Sequence, residues 1–130
     1  MEKQVDIIDQ TNTTPYVEFD YNMGTLKISG KIISENPVEF FDRLDSMLEK
    51  YIQQSKPSFV ANIHLDYFNS VSSKGFLKFL RKIISSRESI DRVDINWFYQ
   101  KDDIELKEAG EDYSFILQYP FNILEFSEKN

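Results

Sequence analysis

The sequence predicts a single α/β domain in which helices pack on an open mixed sheet. Segments that alternate apolar and polar residues, as strands do, are interleaved with segments that carry apolar residues every three or four positions, in the order β-β-α-β-α-β-α-β. A strand, a helix and a second strand in succession favour two parallel strands joined by a right-handed crossover. The chain has 130 residues, 41% of them hydrophobic, which suffices for one core but not for two domains of ordinary size.

The predicted domain spans residues 15–126. A polar run before it marks residues 1–14 as a flexible N-terminal lead-in, and residues 127–130 are expected to form a short tail. Residues 16–20 and 25–29 alternate on either side of a turn, which predicts a β-hairpin at the start of the domain.

Capping signals and apolar periodicity predict the helices. Asn36, Pro37 and Glu39 supply an N-cap, a proline at the first helical position and an acidic residue three positions after the cap. A second helix is predicted over residues 71–87, with a basic outer face. A third, acidic helix is predicted over residues 102–117, although its internal glycine costs about 1 kcal/mol relative to alanine.

The longest predicted strand covers residues 58–68. Its alternation puts Tyr67 on the same face as Leu65, and Phe68 on the opposite face. Two further strands are predicted over residues 92–99 and 121–126.

Composition excludes several classes of function. Fifteen basic against 22 acidic residues give a net charge of −7, which argues against a nucleic-acid or anionic-membrane surface. The absence of cysteine excludes disulfides, thiolate zinc sites and a cysteine nucleophile. The sequence lacks a signal peptide and an apolar run of the ~18 residues that a membrane helix needs, so we expect a cytoplasmic protein.

The sequence offers little for a catalytic, metal or cofactor site. His64, the single histidine, lies within a predicted strand without partners at the spacing of metal ligands or of a catalytic triad. The four glycines are isolated, so no phosphate-binding loop is present. Carboxylates over residues 102–112 leave an acid/base enzyme as an alternative, although a helix start and a solvated helix face account for them. We expect no cofactor and no metal.

One hydroxyl-rich segment, residues 66–74, joins the longest strand to the second helix. The carboxyl ends of strands form the functional edge of open α/β sheets, and a helix N-terminus tolerates a phosphate. A phosphate on Ser70 would add a charge of about −1.5 to −2 at this edge. The residues alone favour simple helix capping by this segment. A small-ligand or nucleotide sensor, with Lys74 and Lys78 facing a phosphate, is a further alternative.

Several blocks of the sequence, in order, resemble those of the SiaC family of bacterial regulatory phosphoproteins, over roughly residues 14–124. The blocks are residues 14–20, 24–30, 66–74, 93–99 and 108–112. The resemblance implies a fold like that of the STAS anti-sigma-factor antagonists and a non-catalytic, partner-switching role. It implies a serine/threonine kinase and a PP2C-type phosphatase as partners, and binding of the unmodified form to a diguanylate cyclase in cyclic-di-GMP and biofilm signalling.

The resemblance also implies the modified residue. The family's phosphorylated position corresponds to Ser70, where the family has threonine, and Val71 follows where the family has a small hydroxyl residue. Ser72 is the reserve candidate. The docking surface is expected to surround Ser70 and to consist of Tyr67, Phe68, Asn69, Ser72, Ser73, Lys74 and Lys78.

Overall fold

The computed structural model of the protein describes residues 4–127. Its strands are Val5–Ile8 (β1), Tyr16–Asp20 (β2), Thr25–Ile32 (β3), Ser58–Phe68 (β4), Arg92–Gln100 (β5) and Asn122–Phe126 (β6). Its helices are Val38–Ile52 (α1), Ser70–Ser85 (α2) and Ile104–Leu117 (α3), and a short 3₁₀ turn, Ser86–Glu88, follows α2.

The strands lie side by side in chain order. β1, β2 and β3 pair antiparallel, whereas β3, β4, β5 and β6 pair parallel. Because each parallel strand is added on the same side of the previous one, right-handed crossovers carry all three helices onto one face of the sheet. The predicted fold class, an open mixed sheet with helices packed on it, is confirmed.

The N-terminal lead-in contains a strand that the sequence did not predict. Val5–Ile8 pairs with β2 from Val5 opposite Asp20 to Ile8 opposite Val17, and Ile8 is buried. The expectation of a flexible segment is therefore wrong at these four positions, because pairing with the hairpin and burial of Ile8 hold them. Residues 1–3 of the lead-in and residues 128–130 of the tail lie outside the described residues.

The predicted cap of α1 is also wrong. Pro37, not Asn36, occupies the N-cap position, and no side chain caps the helix. The backbone N–H of Asn36 instead donates to the Ser34 hydroxyl at 3.2 Å, within the turn that precedes the helix. The helix still begins within two residues of its predicted start because Pro37 presets a backbone compatible with helix.

Gly110 lets α3 approach the sheet closely. A Cβ at this position would lie 2.7 Å from both Cγ and Nε1 of Trp97, which is buried on β5. The indole Nε1 donates to the carbonyl of Leu106 at 2.9 Å, so the same ring also fixes the first turns of α3. The glycine that weakens the helix in isolation is therefore required by its packing.

The helix-free face of the sheet carries an aromatic pair and a row of amides. His64 stacks on Phe98 with ring centroids 3.8 Å apart. One row further, the Asn122 side chain donates to Asn96 at 2.8 Å, and Asn96 donates to Asn62 at 2.9 Å. His64 thus has a packing role on this face of the sheet.

Gly110→Ala should destabilise the protein. The added methyl must displace the Trp97 ring, so we expect a loss of about 1–3 kcal/mol of unfolding free energy in urea denaturation. Glu108→Ala, an exposed change in the same helix, should stay within about 0.5 kcal/mol. A gain of about 1 kcal/mol for Gly110→Ala, as helix propensity alone gives, would contradict the close packing.

Stability should also depend on the protonation of His64. Burial lowers the pKa of its imidazole and nearby Lys27 lowers it further, with a smaller opposing effect from Asp66. The unfolded chain, with an ordinary His pKa near about 6.5, binds the proton at higher pH than the folded chain, so stability falls as pH drops below that value.

The measurement is urea unfolding at about pH 7.5 and about pH 5.5, on either side of the ordinary His pKa, for the wild type and for His64→Gln. Carboxylates contribute equally to both proteins, so the wild type should lose more stability than the variant over this range. Equal losses would show that His64 protonation is not linked to folding.

Candidate functional site

The end of β4 contains a bulge that reverses the direction of its side chains. Gly30 of β3 pairs with Leu65, but the next residue, Lys31, pairs with Tyr67, so Asp66 has no residue opposite. After the bulge Tyr67 is 56% exposed and Phe68 packs against the core. The predicted faces of these two aromatic residues are therefore wrong, because strict alternation does not pass through a bulge.

Phe68 joins four elements at the start of α2. Its ring lies 5.9 Å from Phe76 on α2, 6.3 Å from Trp97 on β5 and 6.3 Å from Tyr113 on α3, measured between centroids. Rings at these distances interact favourably beyond simple burial. The residue just before the α2 cap is therefore fixed in place from several sides.

Asn69 caps α2 and ties it to the neighbouring loop. Its backbone is extended, and its side-chain oxygen accepts from the N–H of Ser72 at 3.0 Å. The side-chain amide donates to the carbonyl of Ser34 at 3.0 Å, and its backbone N–H donates to Ile32 at 3.2 Å. The start of α2 is thus held against the loop between β3 and α1.

The three serines of the segment differ in accessibility. Ser70, the first helical residue, is exposed. Ser72 is 0% exposed, and its buried hydroxyl lacks a hydrogen-bond partner among the described residues. Ser73 is half-buried, with its hydroxyl 3.0 Å from that of Tyr113, which also donates to the Ser73 carbonyl at 2.9 Å. The Ser70 side chain is therefore accessible from solvent without opening α2, whereas Ser72, the reserve candidate, is buried.

Tyr113 remains a hydrogen-bond donor to α2. Burial raises the pKa of its hydroxyl, although the bond to Ser73 acts in the opposite direction. The neutral phenol can therefore donate to the Ser73 carbonyl over the physiological range. This contact links α3 to the first turn of α2.

The structure divides the predicted docking residues into two sets. Tyr67, Lys74 and Lys78 are exposed and can contact a partner. Phe68, Asn69, Ser72 and Ser73 instead pack, cap or bond within the fold. The burial of Ser72 has a sequence signal, because positions 72, 76, 79 and 83 form one helical stripe.

A groove that the sequence did not predict is lined in part by Val71, the residue that follows Ser70. It has a volume of about 240 Å³ and runs between α1 and α2. Exposed Val38 and Val71 stand at its sides, Phe41 and Phe79 line it more deeply, and Lys78 lies at its rim. In the sequence, this groove is indicated only by Val38 and Val71, two apolar residues close to the starts of helices.

The first turn of α2 is electrostatically suited to an anion. It contains no acidic residue, and the exposed Lys74 and Lys78 follow along the helix. Its N-terminal N–H groups carry the positive end of the helix dipole, which stabilises a nearby negative charge.

The carboxylates over residues 102–112 are spread along α3 and the residues just before it. Asp103 caps α3 by accepting from the N–H of Leu106 at 3.1 Å, while Glu105 and Glu108 face solvent. Within residues 4–127, no cluster of histidine and acidic side chains is suited to a metal ion. No helix in the same range is long and apolar enough to cross a membrane.

Asn69→Ala should remove the α2 cap and lower the unfolding free energy by about 1–2 kcal/mol in urea denaturation. Asn69→Asp keeps an acceptor for the N–H of Ser72 and should lose less unfolding free energy than Asn69→Ala. Ser72→Ala is the matched control, because it removes a buried hydroxyl that has no partner among the described residues and should cost little. A larger loss for Ser72→Ala than for Asn69→Ala would contradict this assignment.

Known structures share this fold. A chain in the crystal structure of the diguanylate cyclase SiaD in complex with its activator SiaC, from Pseudomonas aeruginosa, matches with a TM-score of 0.85 and 22% identity, over 93% of this chain and 99% of that one. Apo-SiaC from the same organism matches with a TM-score of 0.76 and 24% identity, over 95% and 99% of the two chains.

Sequence comparison gives a relative and a family. An uncharacterized protein of Pseudomonas aeruginosa strain UCBPP-PA14 is 23% identical over 116 residues, which are 89% of this chain and 92% of that protein. The sequence model described as "SiaC family regulatory phosphoprotein" matches residues 8–126. Because this match covers nearly the whole chain and agrees with the fold, the chain belongs to the SiaC family of regulatory phosphoproteins.

Proposed function

We propose that this chain is a non-catalytic partner-switching protein controlled by phosphorylation of Ser70. A serine/threonine kinase adds the phosphate, a PP2C-type phosphatase removes it, and the unmodified chain binds and activates a diguanylate cyclase. The observation that carries the proposal is the contrast among the serines at the start of α2: Ser70 is exposed, whereas Ser72 is buried and Ser73 is bonded to Tyr113.

The position of Ser70 explains how a phosphate can act there. The added charge of about −1.5 to −2 is stabilised by the N-terminus of α2, and Lys74 lies about one turn further along. Tyr67 and Val71, which flank Ser70 in the chain, are both exposed and available to a partner. A partner that docks on this surface would have to remove water from the phosphate. The cost of this desolvation opposes binding of the partner that recognises the unmodified form.

The core should tolerate this modification. Ser70 is exposed, while the contacts that fix the start of α2 are made by Phe68 and Asn69. A phosphate therefore changes the surface and leaves the packing in place. The hydroxyl of Ser70 is a substrate for the kinase, and the chain itself needs no catalytic residue.

The choice of a cyclase as partner rests on relatives. SiaC of Pseudomonas aeruginosa is the activator of the diguanylate cyclase SiaD, and apo-SiaC shares the fold of this chain. A cyclase that uses GTP and a kinase that uses ATP would operate in the cytoplasm, which is the location we propose.

Ser70→Ala should retain binding to the diguanylate cyclase of the same genome, and Ser70→Asp should weaken it by about tenfold or more, since the carboxylate introduces charge into the contact. Affinity is measured by biolayer interferometry, and cyclic-di-GMP production should follow it. Ser46→Asp is the matched control, because it adds the same charge at an exposed serine of α1.

Kinase labelling gives an independent check on the same residue. Incubation with the kinase and ATP should place a phosphate that mass spectrometry maps to Ser70, and Ser70→Ala should abolish it. Equal cyclase binding by Ser70→Ala and Ser70→Asp, or an equal loss for Ser46→Asp, would refute the switch.

A further inference from the structure

We infer that the outward side of α3 is a second docking surface, which accepts a basic amphipathic helix of a protein partner. This surface, called the α3 outer face below, consists of Ile104, Glu105, Glu108, Glu111, Asp112, Phe115 and Ile116. The inference goes beyond the Ser70 switch, because its surface is centred on α3, borders the Ser70 surface only at Tyr67, and does not require phosphorylation.

Three large apolar side chains on this face are left in solvent. Ile104 is 57% exposed at the start of α3, and Phe115 and Ile116 are 83% and 54% exposed near its end. The inward side of the helix is filled separately by Leu106 and Tyr113, both buried. Single exposed apolar residues are ordinary, but Phe115 and Ile116 are neighbours in the chain and Ile104 is on the same side of the helix, which favours an interaction surface.

Carboxylates occupy the space between these apolar ends. Glu105, Glu108, Glu111 and Asp112 are all exposed, and no ion pair within residues 4–127 engages them. The one basic residue of α3, Lys107, extends over the Tyr99 ring, with its ammonium 5.9 Å from the centroid. The α3 outer face therefore combines apolar anchors with negative charge that nothing on the face neutralises.

A groove borders the α3 outer face at Glu105. It has a volume of about 240 Å³, lies between the end of β4 and α3, and is lined by the apolar parts of Phe68 and Leu106. Asp66 and the exposed ring of Tyr67 stand at its rim. An arginine or lysine side chain fits this arrangement, with its stem on the apolar lining and its cation beside a carboxylate or the tyrosine ring.

Charge complementarity selects the occupant. A second copy of this chain docked on the same face would bring four carboxylates against four others, and nucleic acid or an anionic membrane would also be repelled. Ile104 and Ile116 are twelve positions apart, about 18 Å along the helix, which corresponds to about three turns of a partner helix. A helix with leucine-like anchors and lysine or arginine flanks meets both requirements.

The test uses a fluorescent amphipathic peptide of about 18 residues built from leucine and lysine, and the same peptide with glutamate in place of every lysine. The full-length chain should bind the lysine peptide in an anisotropy titration and ignore the glutamate peptide. Two double variants should each weaken binding of the lysine peptide by about tenfold or more. One combines Phe115→Ser with Ile116→Ser, and the other combines Glu105→Lys with Glu108→Lys.

Matched controls separate this site from general attraction to an acidic protein. Glu49→Lys with Glu88→Lys makes the same change in net charge on other exposed positions, and Met23→Ser removes a 70% exposed apolar side chain. The affinity of both variants for the lysine peptide should stay within about twofold of that of the wild type. Ser70→Asp should also stay within this range, so this inference and the Ser70 switch can fail separately. Circular dichroism establishes that each variant is folded.

Three results would overturn the inference. One is an equal loss of peptide binding for the control charge reversals, which would mean that net charge alone attracts the peptide. Another is equal binding of the glutamate peptide. The third is a dimer in sedimentation velocity that Phe115→Ser with Ile116→Ser converts to monomer, since a second copy would then be the occupant.

Discussion

The bulge at Asp66 is the constraint on which the candidate site depends. By leaving one residue of β4 unpaired, it turns Phe68 towards the helices and Tyr67 towards solvent. Phe68 then packs against rings from three other elements, and Asn69 follows in position to cap α2 and to bond the loop before α1. Without the bulge the inward and outward residues would exchange, and Ser70 would not follow an anchored cap.

Within a few residues of the chain, some side chains therefore hold the site in place and others are exposed to solvent. Phe68, Asn69 and Ser73 hold the first turn of α2 against the sheet and α3, whereas Ser70 makes no such contact and stands in solvent. A charge placed on Ser70 meets the positive end of a helix dipole and not the apolar core. The proposed switch requires this arrangement, because a modification at Ser70 must change the surface of the protein while its fold is kept.

Sequence patterns predicted the framework because alternation and helical periodicity are local properties. They missed β1, whose four residues are held by pairing with β2, and they misplaced Tyr67 because alternation does not reveal a skipped residue. They also treated Gly110 as unfavourable for α3, since only the packed structure shows that Trp97 occupies the space a Cβ would need. The choice of Ser70 came from family resemblance, and its exposure beside the buried Ser72 now supports that choice on physical grounds.

A phosphate on Ser70 should alter a surface of the protein and leave its fold unchanged. Backbone amide NMR of the chain with phosphoserine incorporated at position 70, compared with the unmodified chain, tests this expectation. Chemical-shift changes should be confined to the start of α2, the end of β4 and the loop before α1. Changes spread through the sheet and α3, or loss of the dispersed spectrum, would contradict it.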